Sequence, residues 1–472
     1  CATPSWTSMY KVYADKLLSL DYIDIEDPDI QQEHSEIRQH QNGMGFGLPR
    51  FVAAYGELIT GLVQIALSVA LALSLFTLRV PEGSPLSYLD SPPAVMAFIA
   101  VLLCSIGVAP YLSMIGGRIW TRASHDNNRA NRLFSFYFFD MTRGSSQAKD
   151  IRIYDQQRLV EKGASWTDSI GKWLQYARYN AKFSAASTAV SYLSNGLVYL
   201  YVALKAFAGA FGVGSIVQYV GAITQFGSGV TSVLTNVGML VNNNAFLDKA
   251  FRFLDTPNRM HQGTLHVEMR HDGECVLEFH DVSFKYPGTD TYALKNLNLR
   301  LNVGQRMAVV GMNGSGKTTM IKLLCRLYDP TEGAITLNGI DIKEYDYDEY
   351  VALFSIVFQD FGLLPLTLGQ NVAASVEVDP VKAMRALSQA GFDLRLGNMP
   401  KGMETYLYKN FEEDGVEVSG GEAQKIALAR ALYKDAPFIV LDEPTAALDP
   451  VAEFEIYSRF DEIVGGKTAI YI

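Results

Sequence analysis

Four stretches of this chain contain no Asp, Glu, Lys or Arg: Leu58–Leu78, Ser91–Gly117, Phe183–Leu204 and Ala206–Leu247. All lie before residue 250 of a 472-residue sequence. A helix needs about 20 apolar residues to cross roughly 30 Å of hydrocarbon, and each of the first three stretches fits one crossing. The fourth is longer. Its Gly209–Gly214 segment, GAFGVG, predicts a turn outside the membrane and then a crossing from about Ile216. Four such runs in one half-chain are hard to bury in a water-soluble core, so the first domain is expected to be helical and membrane-embedded.

Basic residues give the orientation. The segment between the second and third runs carries Arg118, Arg122, Arg129, Arg132, Arg143, Lys149, Arg152, Arg158, Lys162, Lys172, Arg178 and Lys182. The short Arg79–Asp90 connection carries only Arg79, and Gly209–Gly214 carries none. The positive-inside rule places the long segment in the cytoplasm and the short loops outside. Charged and apolar residues alternate at helical spacing from Arg118 to Lys182, which predicts two membrane helices continuing into the cytoplasm and joined near Tyr154–Lys162. Asp24–Gln39 predicts a polar helix-turn, and Glu57 is expected at the cytoplasmic end of its helix, where water reaches it.

The remainder reads as a soluble α/β domain. Net charge is −10, which argues against a nucleic-acid partner, since phosphate neutralisation needs a basic face. The four cysteines, Cys1, Cys104, Cys275 and Cys325, share no metal-type spacing and are read as free, buried thiols.

After a polar linker at 251–275, VLEFHDVSFKYPG alternates as strands do, with Tyr286 just before a Pro287-Gly288 turn. A strand at Gln305–Val310 runs directly into Gly311-Met312-Asn313-Gly314-Ser315-Gly316-Lys317-Thr318-Thr319, and a helix follows. The spacing GxxxxGK followed by Ser or Thr is that of a phosphate-binding loop. Glycines let backbone N–H groups turn inward around phosphates, the helix N-terminus adds a positive dipole end, Lys317 reaches the outer phosphates and the Thr318 hydroxyl suits Mg²⁺. Further on, Phe438–Leu441 is an apolar strand ending in Asp442 and Glu443. Asp442 is expected to hold Mg²⁺ and Glu443 to act as general base on water. Between these lies Val418-Ser419-Gly420-Gly421-Glu422, opening a strongly helical run and offering a second anion site.

In this order the motifs resemble the ABC transporter family: an aromatic A-loop ending at Tyr286, Walker A in GMNGSGKTT, a Q-loop at Gln359, the signature VSGGE, Walker B in FIVLDE and a D-loop ending at Asp449. Residues 118–255 resemble the exporter-type membrane domain, IRIYDQQ matching the intracellular segment between its fourth and fifth helices. The resemblance implies an α-helical transmembrane domain at 1–250 and an α/β P-loop NTPase domain at 276–472. It makes Asp24–Gln39 the first coupling helix, with the four runs as helices three to six. It also implies a dimer of such halves, identical or not, with ATP between one subunit's Walker motifs and the other's Ser419-Gly420-Gly421 turn. Tyr286 would stack on adenine, while Gln359 would join Mg²⁺ to the coupling surface. Glu422 stands where the common signature has a neutral amide, which puts its phosphate side in question, and YKNFEEDGVEVSGG departs from the exporter pattern ahead of the signature. None of His34, His40, His125, His261, His266, His271 and His280 follows the last strand, where the family places a switch histidine. The sequence is therefore read as truncated at both ends.

The implied function is ATP-driven export of a lipophilic or amphipathic drug, lipid or peptide by a multi-pass protein of the cell's inner or plasma membrane, its nucleotide domain cytoplasmic. An importer of siderophore-like cargo on the same fold, a regulated channel or receptor, and a soluble ABC ATPase of DNA maintenance are the alternatives.

Overall fold

The computed structural model describes residues 3–81, 83–126, 136, 145–156, 166–268, 276–444, 454, 464–465 and 467–472. The predicted joint at Tyr154–Lys162 lies partly outside them, and Asp449 lies outside altogether.

The chain divides into two compact units. One comprises Cys1–Lys16 and Gln32–Thr256, the other Leu17–Gln31 and Pro257–Ile472. The first unit is helical, with α1 (Thr3–Ser19), α2 (Tyr22–Ile25) and α3 (Pro28–Met44) leading to α4 (Leu48–Thr77), α5 (Pro92–Asp126), α6 (Ser145–Ile153), α7 (Trp166–Phe207) and α8 (Ser215–Leu254). Of these, α2 and the adjoining turns of α1 and α3 belong to the second unit.

Within the first unit α4 packs along α8 and α5 along α7. The α4–α8 approach is close because it meets on glycines. A methyl group on Gly61 would stand 3.1 Å from the carbonyl oxygen of Gly229, and one on Gly229 would stand 2.9 Å from that of Gly61. Small residues at such crossings let backbones approach within a membrane. At the loop end, Leu75, Leu89, Phe98, Tyr201, Val202 and Tyr219 form a buried cluster. Beside it Lys205, 1% exposed, meets Asp90 at 2.8 Å and donates to the carbonyls of Leu75 and Leu78, filling the unsatisfied C-terminus of α4. Glu57 pairs with Arg50 at 3.2 Å, and Arg50 also donates to Asn236.

Among the described residues, two helices are both long and apolar enough to span a membrane, Leu48–Thr77 and Pro92–Ile119. The expected third and fourth crossings fall in α7 and α8, which run for 42 and 40 residues. Their length exceeds a span, but Ser, Thr, Asn and Gly along them dilute the hydropathy that α4 and α5 keep. The turn at Gly209–Gly214 separates them, and α8 starts at Ser215. Exposed Ile59, Leu62, Leu67 and Leu73 on α4 are each about 60% accessible, a face that needs an apolar medium. Cys104 is exposed rather than buried as expected, because it lies on the outward side of α5. Cys325 is buried.

Among the described residues the second unit holds two four-stranded sheets. In the antiparallel one, of order β2-β1-β4-β5, β1 (Val276–Phe284) lies between β2 (Leu294–Asn302) and β4 (Glu332–Leu337), with β5 (Ile340–Asp341) at the edge. The parallel sheet runs β3-β8-β7-β6, from β3 (Arg306–Ala308), β6 (Phe354–Val357), β7 (Phe438–Leu441) and β8 (Thr468–Tyr471). All four β7 residues are buried, matching a strand covered on both faces. Helices α9 (Lys317–Leu324), α10 (Tyr347–Ala352), α11 (Leu368–Ala373), α12 (Pro380–Gln389), α13 (Asp393–Leu396) and α14 (Gly420–Lys434) belong to the same unit. β3 is shorter than the expected Gln305–Val310, because the chain leaves the ladder after Val309, whose N–H donates to Tyr471 O at 2.7 Å, and Val310 is 93% exposed.

Candidate functional site

In an open α/β sheet, ligands bind beyond the carboxyl ends of parallel strands. Three of the predicted motifs leave the parallel sheet at that edge: 309–316 follows β3, Gln359 follows β6, and Asp442 and Glu443 follow β7.

The loop after β3 turns on glycines. Gly314 has φ of 80° and Gly316 of 90°, a region costly for residues with a Cβ. A methyl group on Gly316 would also lie 2.7 Å from Ala293 O. The loop then enters α9 at Lys317, leaving the first-turn N–H groups of that helix free for an anion. Lys317 Nζ curls back to the carbonyls of Gly311 and Met312 at 3.0 and 3.2 Å, which holds its charge over the loop.

Thr318 Oγ1 donates to Asp442 Oδ2 at 3.0 Å, joining two residues 124 apart in sequence. Asp442 is 1% exposed, and burial raises its carboxyl above the usual range; the Thr318 hydrogen bond opposes this and neighbouring Glu443 adds to it. Such a buried carboxylate beside a second one is electrostatically suited to a cation. No three His, Cys, Asp or Glu side chains converge as a metal centre among the described residues. A cation here would therefore be held by one hydroxyl, one carboxylate and nucleotide oxygens, which is how Mg²⁺ is commonly held with phosphates.

Glu443 has φ of 48°, an uncommon conformation for a side-chain-bearing residue and one that recurs at functional sites. Its carboxylate accepts from Gln359 Nε2 at 2.7 Å, and its carbonyl from Gln424 Nε2 at 3.0 Å. Gln359 is thus hydrogen-bonded to Glu443, not to the Thr318–Asp442 pair. Sequence reasoning missed Gln424, which no motif spacing singles out.

Tyr286 hydrogen-bonds Thr319 through its hydroxyl at 3.0 Å, and its ring meets Tyr328 edge-on at 5.5 Å. Tyr328 donates in turn to Glu26, which also accepts from Tyr22 at 2.6 Å and pairs with Lys322 at 3.4 Å. Burial works against the charge of Glu26, yet these three donors hold its carboxyl below the usual range. The segment at 17–31 therefore reaches the neighbourhood of Tyr286 within one unit, a juxtaposition invisible in sequence.

Ser419 caps α14. Its Oγ accepts from Glu422 N at 3.3 Å, while Glu422 Oε2 accepts from Ser419 N at 2.8 Å. The other oxygen of Glu422 lies 2.9 Å from Arg395 Nε. The acidic residue in the signature position is thereby committed to the helix start and to a cation, which answers the question its charge raised.

The model of the ABC transporter family matches residues 294–446. Residues 294–446 form an ABC transporter domain. The chain is 35% identical over 282 residues to the subtilin transport ATP-binding protein SpaT of Bacillus subtilis, covering 59% of this chain and 45% of that protein. To an ATP-dependent lipid A-core flippase of Paraburkholderia xenovorans it is 37% identical over 225 residues, 47% of this chain and 36% of the flippase. To the nisin transport ATP-binding protein NisT of Lactococcus lactis it is 32% identical over 306 residues, 64% of this chain and 51% of that protein. The chain thus spans about half or less of the length of these curated relatives. In fold it resembles a bacterial Atm1-family ABC exporter solved with ATP bound, at a TM-score of 0.60 and 21% identity, over 100% of this chain and 78% of the other. An ABC domain implies ATP as its ligand. That likeness in fold is the one expected from the resemblance of residues 118–255 to the exporter-type membrane domain.

Proposed function

We propose that this chain is one half of an ATP-hydrolysing exporter that works as a dimer. The reading is carried by the meeting of Thr318 with Asp442 and of Gln359 with Glu443 at one sheet edge, in a chain that also carries apolar helices of spanning length. Lys317 and the N–H groups of 311–319 would bind the phosphates, and Tyr286 would stack on the adenine. Thr318 and Asp442, with Gln359 close by, would hold Mg²⁺, which supplies neutralising charge at the phosphate oxygens. Glu443 accepts a proton from the attacking water as the water oxygen bonds to the γ-phosphorus and the bond to the ADP oxygen breaks. Gln359 orients that carboxylate. Ser419, Gly420, Gly421 and Glu422 of a second half, with Asp449, would close the other side of the nucleotide.

Closure can move membrane helices only if ATP binds one arrangement more tightly than another. The expected boundaries are 1–250 for the membrane domain, 251–275 for a linker and 276–472 for the nucleotide domain, although the structure assigns 17–31 to the second unit. The chain would be multi-pass in the inner or plasma membrane, its nucleotide domain in the cytoplasm and its apolar helices against membrane lipid. Relatives named for transport of subtilin and nisin and for flipping lipid A-core support a small-molecule, lipid or peptide cargo of amphipathic character.

The test is Glu443→Gln in the full-length protein in vesicles. ATP binding should persist while hydrolysis falls by roughly 10²-fold or more, the usual worth of a general base, and cargo accumulation should stop. Unchanged turnover would remove Glu443 from this role, and ion current without ATP-driven accumulation would replace the pump by a channel.

A further inference from the structure

A cavity of about 280 Å³ lies among α5, α7 and α8 of the helical unit. Its lining runs from Leu102 to Ala109 on α5, from Ser191 to Val198 on α7 and from Ile223 to Thr231 on α8. Those stretches lie 10–17 residues from the start of α5 at Pro92, 9–16 back from the end of α7 at Phe207 and 8–16 on from the start of α8 at Ser215. At ~1.5 Å per residue all three reach the same depth, roughly 12–26 Å below the helix ends. In a hydrocarbon layer of roughly 30 Å that includes the midplane.

The chemistry of the lining is unusual for that depth. Among the described residues no charged side chain lines the cavity, but hydroxyls and one carboxamide do. Some of these serve the helices themselves. Ser105 Oγ meets Ser194 Oγ at 2.8 Å and ties α5 to α7, while Ser191 and Thr224 donate back to carbonyls four residues earlier. Asn195, Ser228 and Thr231 are different: among the described residues they make no hydrogen bond, and all three line the cavity. A polar group left unsatisfied at membrane depth is costly, and polar side chains retained there mark ligand pathways. A second cavity of about 220 Å³ shares the wall residues Leu102 and Ile223, but among the described residues Ser68 is its only polar side chain. The polar lining is thus local to one side of that wall.

From this we infer that the α5–α7–α8 cavity binds the uncharged, hydrogen-bonding head of an amphipathic molecule, with Asn195 as its principal contact. The assignment rests on the reading of this chain as a transporter half and adds the class of cargo to it. At ~30 Å³ per water the cavity has room for about nine waters, so it takes one head group rather than a whole lipid. Leu102, Ile106, Val198 and Ile223 face the apolar part of the same molecule. With no cation or anion among the described residues of the wall, a phosphate or ammonium head finds no counter-charge there.

The experiment uses the full-length protein in nanodiscs without nucleotide and three photoreactive probes with the same dodecyl chain: a glucoside, a phosphate and a trimethylammonium. Saturable labelling of peptides from α5, α7 and α8 gives site and affinity. The glucoside should label with the highest affinity. Asn195→Leu should weaken it about fivefold to tenfold, the worth of one hydrogen bond in apolar surroundings, and Asn195→Gln should retain most of the binding. Ser187→Ala, which removes only the packing bond from Ser187 to Ala109 O at 2.8 Å, should leave the affinity unchanged. Equal or better labelling by either charged probe, or an Asn195→Leu variant that binds the glucoside like the parent, overturns the assignment. Because binding is read without ATP, a chain that binds the glucoside but moves nothing refutes the transporter reading and leaves this one standing.

Discussion

The ion pair between Asp24 and Arg259 gives a prediction whose asymmetry comes directly from burial. Asp24 is fully buried, while Arg259, 2.8 Å away, is 53% exposed. Removing Arg259 leaves a carboxylate without its cation in the interior, and breaking a buried pair this way costs about 3–5 kcal/mol. Removing the charge of Asp24 instead lets the guanidinium turn to water, where it also keeps Asp27 at 3.4 Å; that change should cost only about 1–1.5 kcal/mol, the value of one ordinary hydrogen bond. The pair anchors residues 17–31, helped by Asn258 donating to Ser19 O and Met260 N to Asp21. The loss is therefore local, and amide hydrogen exchange of 17–31 in the full-length protein reads it. At ~1.4 kcal/mol per tenfold, Arg259→Ala should speed exchange roughly 10²-fold to 10³-fold, Asp24→Asn about tenfold, and the double variant little more than Asp24→Asn alone. Equal effects of the two single changes, or a double change equal to their sum, would falsify the argument.

Lys317→Ala should abolish turnover and weaken ATP binding measured by equilibrium dialysis; retention of both would remove the loop at 311–319 from the phosphates. Tyr286→Ala should cost nucleotide affinity by about 1–3 kcal/mol, the worth of a stacked base. Tyr286→Phe, which gives up only the hydroxyl contact with Thr319, should lose far less. Asp442 gives a pH dependence. Its folded carboxyl sits above the unfolded value, so the folded state takes up its proton first as pH falls. Protonation relieves a burial penalty, and without nucleotide this group adds stability on acidification. Mg²⁺ binding needs the ionised form, so Mg²⁺-dependent ATP affinity should decline at a higher pH than an ordinary aspartate would give. Asp442→Asn should flatten that limb in titrations of nucleotide binding.

The phosphate loop and the Asp442–Glu443 pair were legible because their chemistry is local. A loop with left-handed glycines, a helix start and an apolar strand ending in acids each leave a pattern a few residues long. The spans were legible where the helix is uniformly apolar, as in α4. They were blurred in α7 and α8, where Asn195, Ser228 and Thr231 lower the hydropathy and also line a cavity. What remained hidden depends on distant partners. Nothing around Glu422 signals Arg395, nothing around Glu26 signals Tyr328, and Gln424 looks like any exposed helix amide until the fold brings it to the backbone of Glu443.

The docking of residues 17–31 in the C-terminal unit also sets a timetable for synthesis. Glu26 and Tyr328 are 302 residues apart. At ~5–20 residues per second, a nascent chain waits roughly 15–60 s between exposing that acidic segment and completing the surface that receives it. Throughout this interval Glu26 lacks the Tyr328 hydroxyl that it accepts from in the folded unit, so this contact is among the last that the N-terminal segment can make.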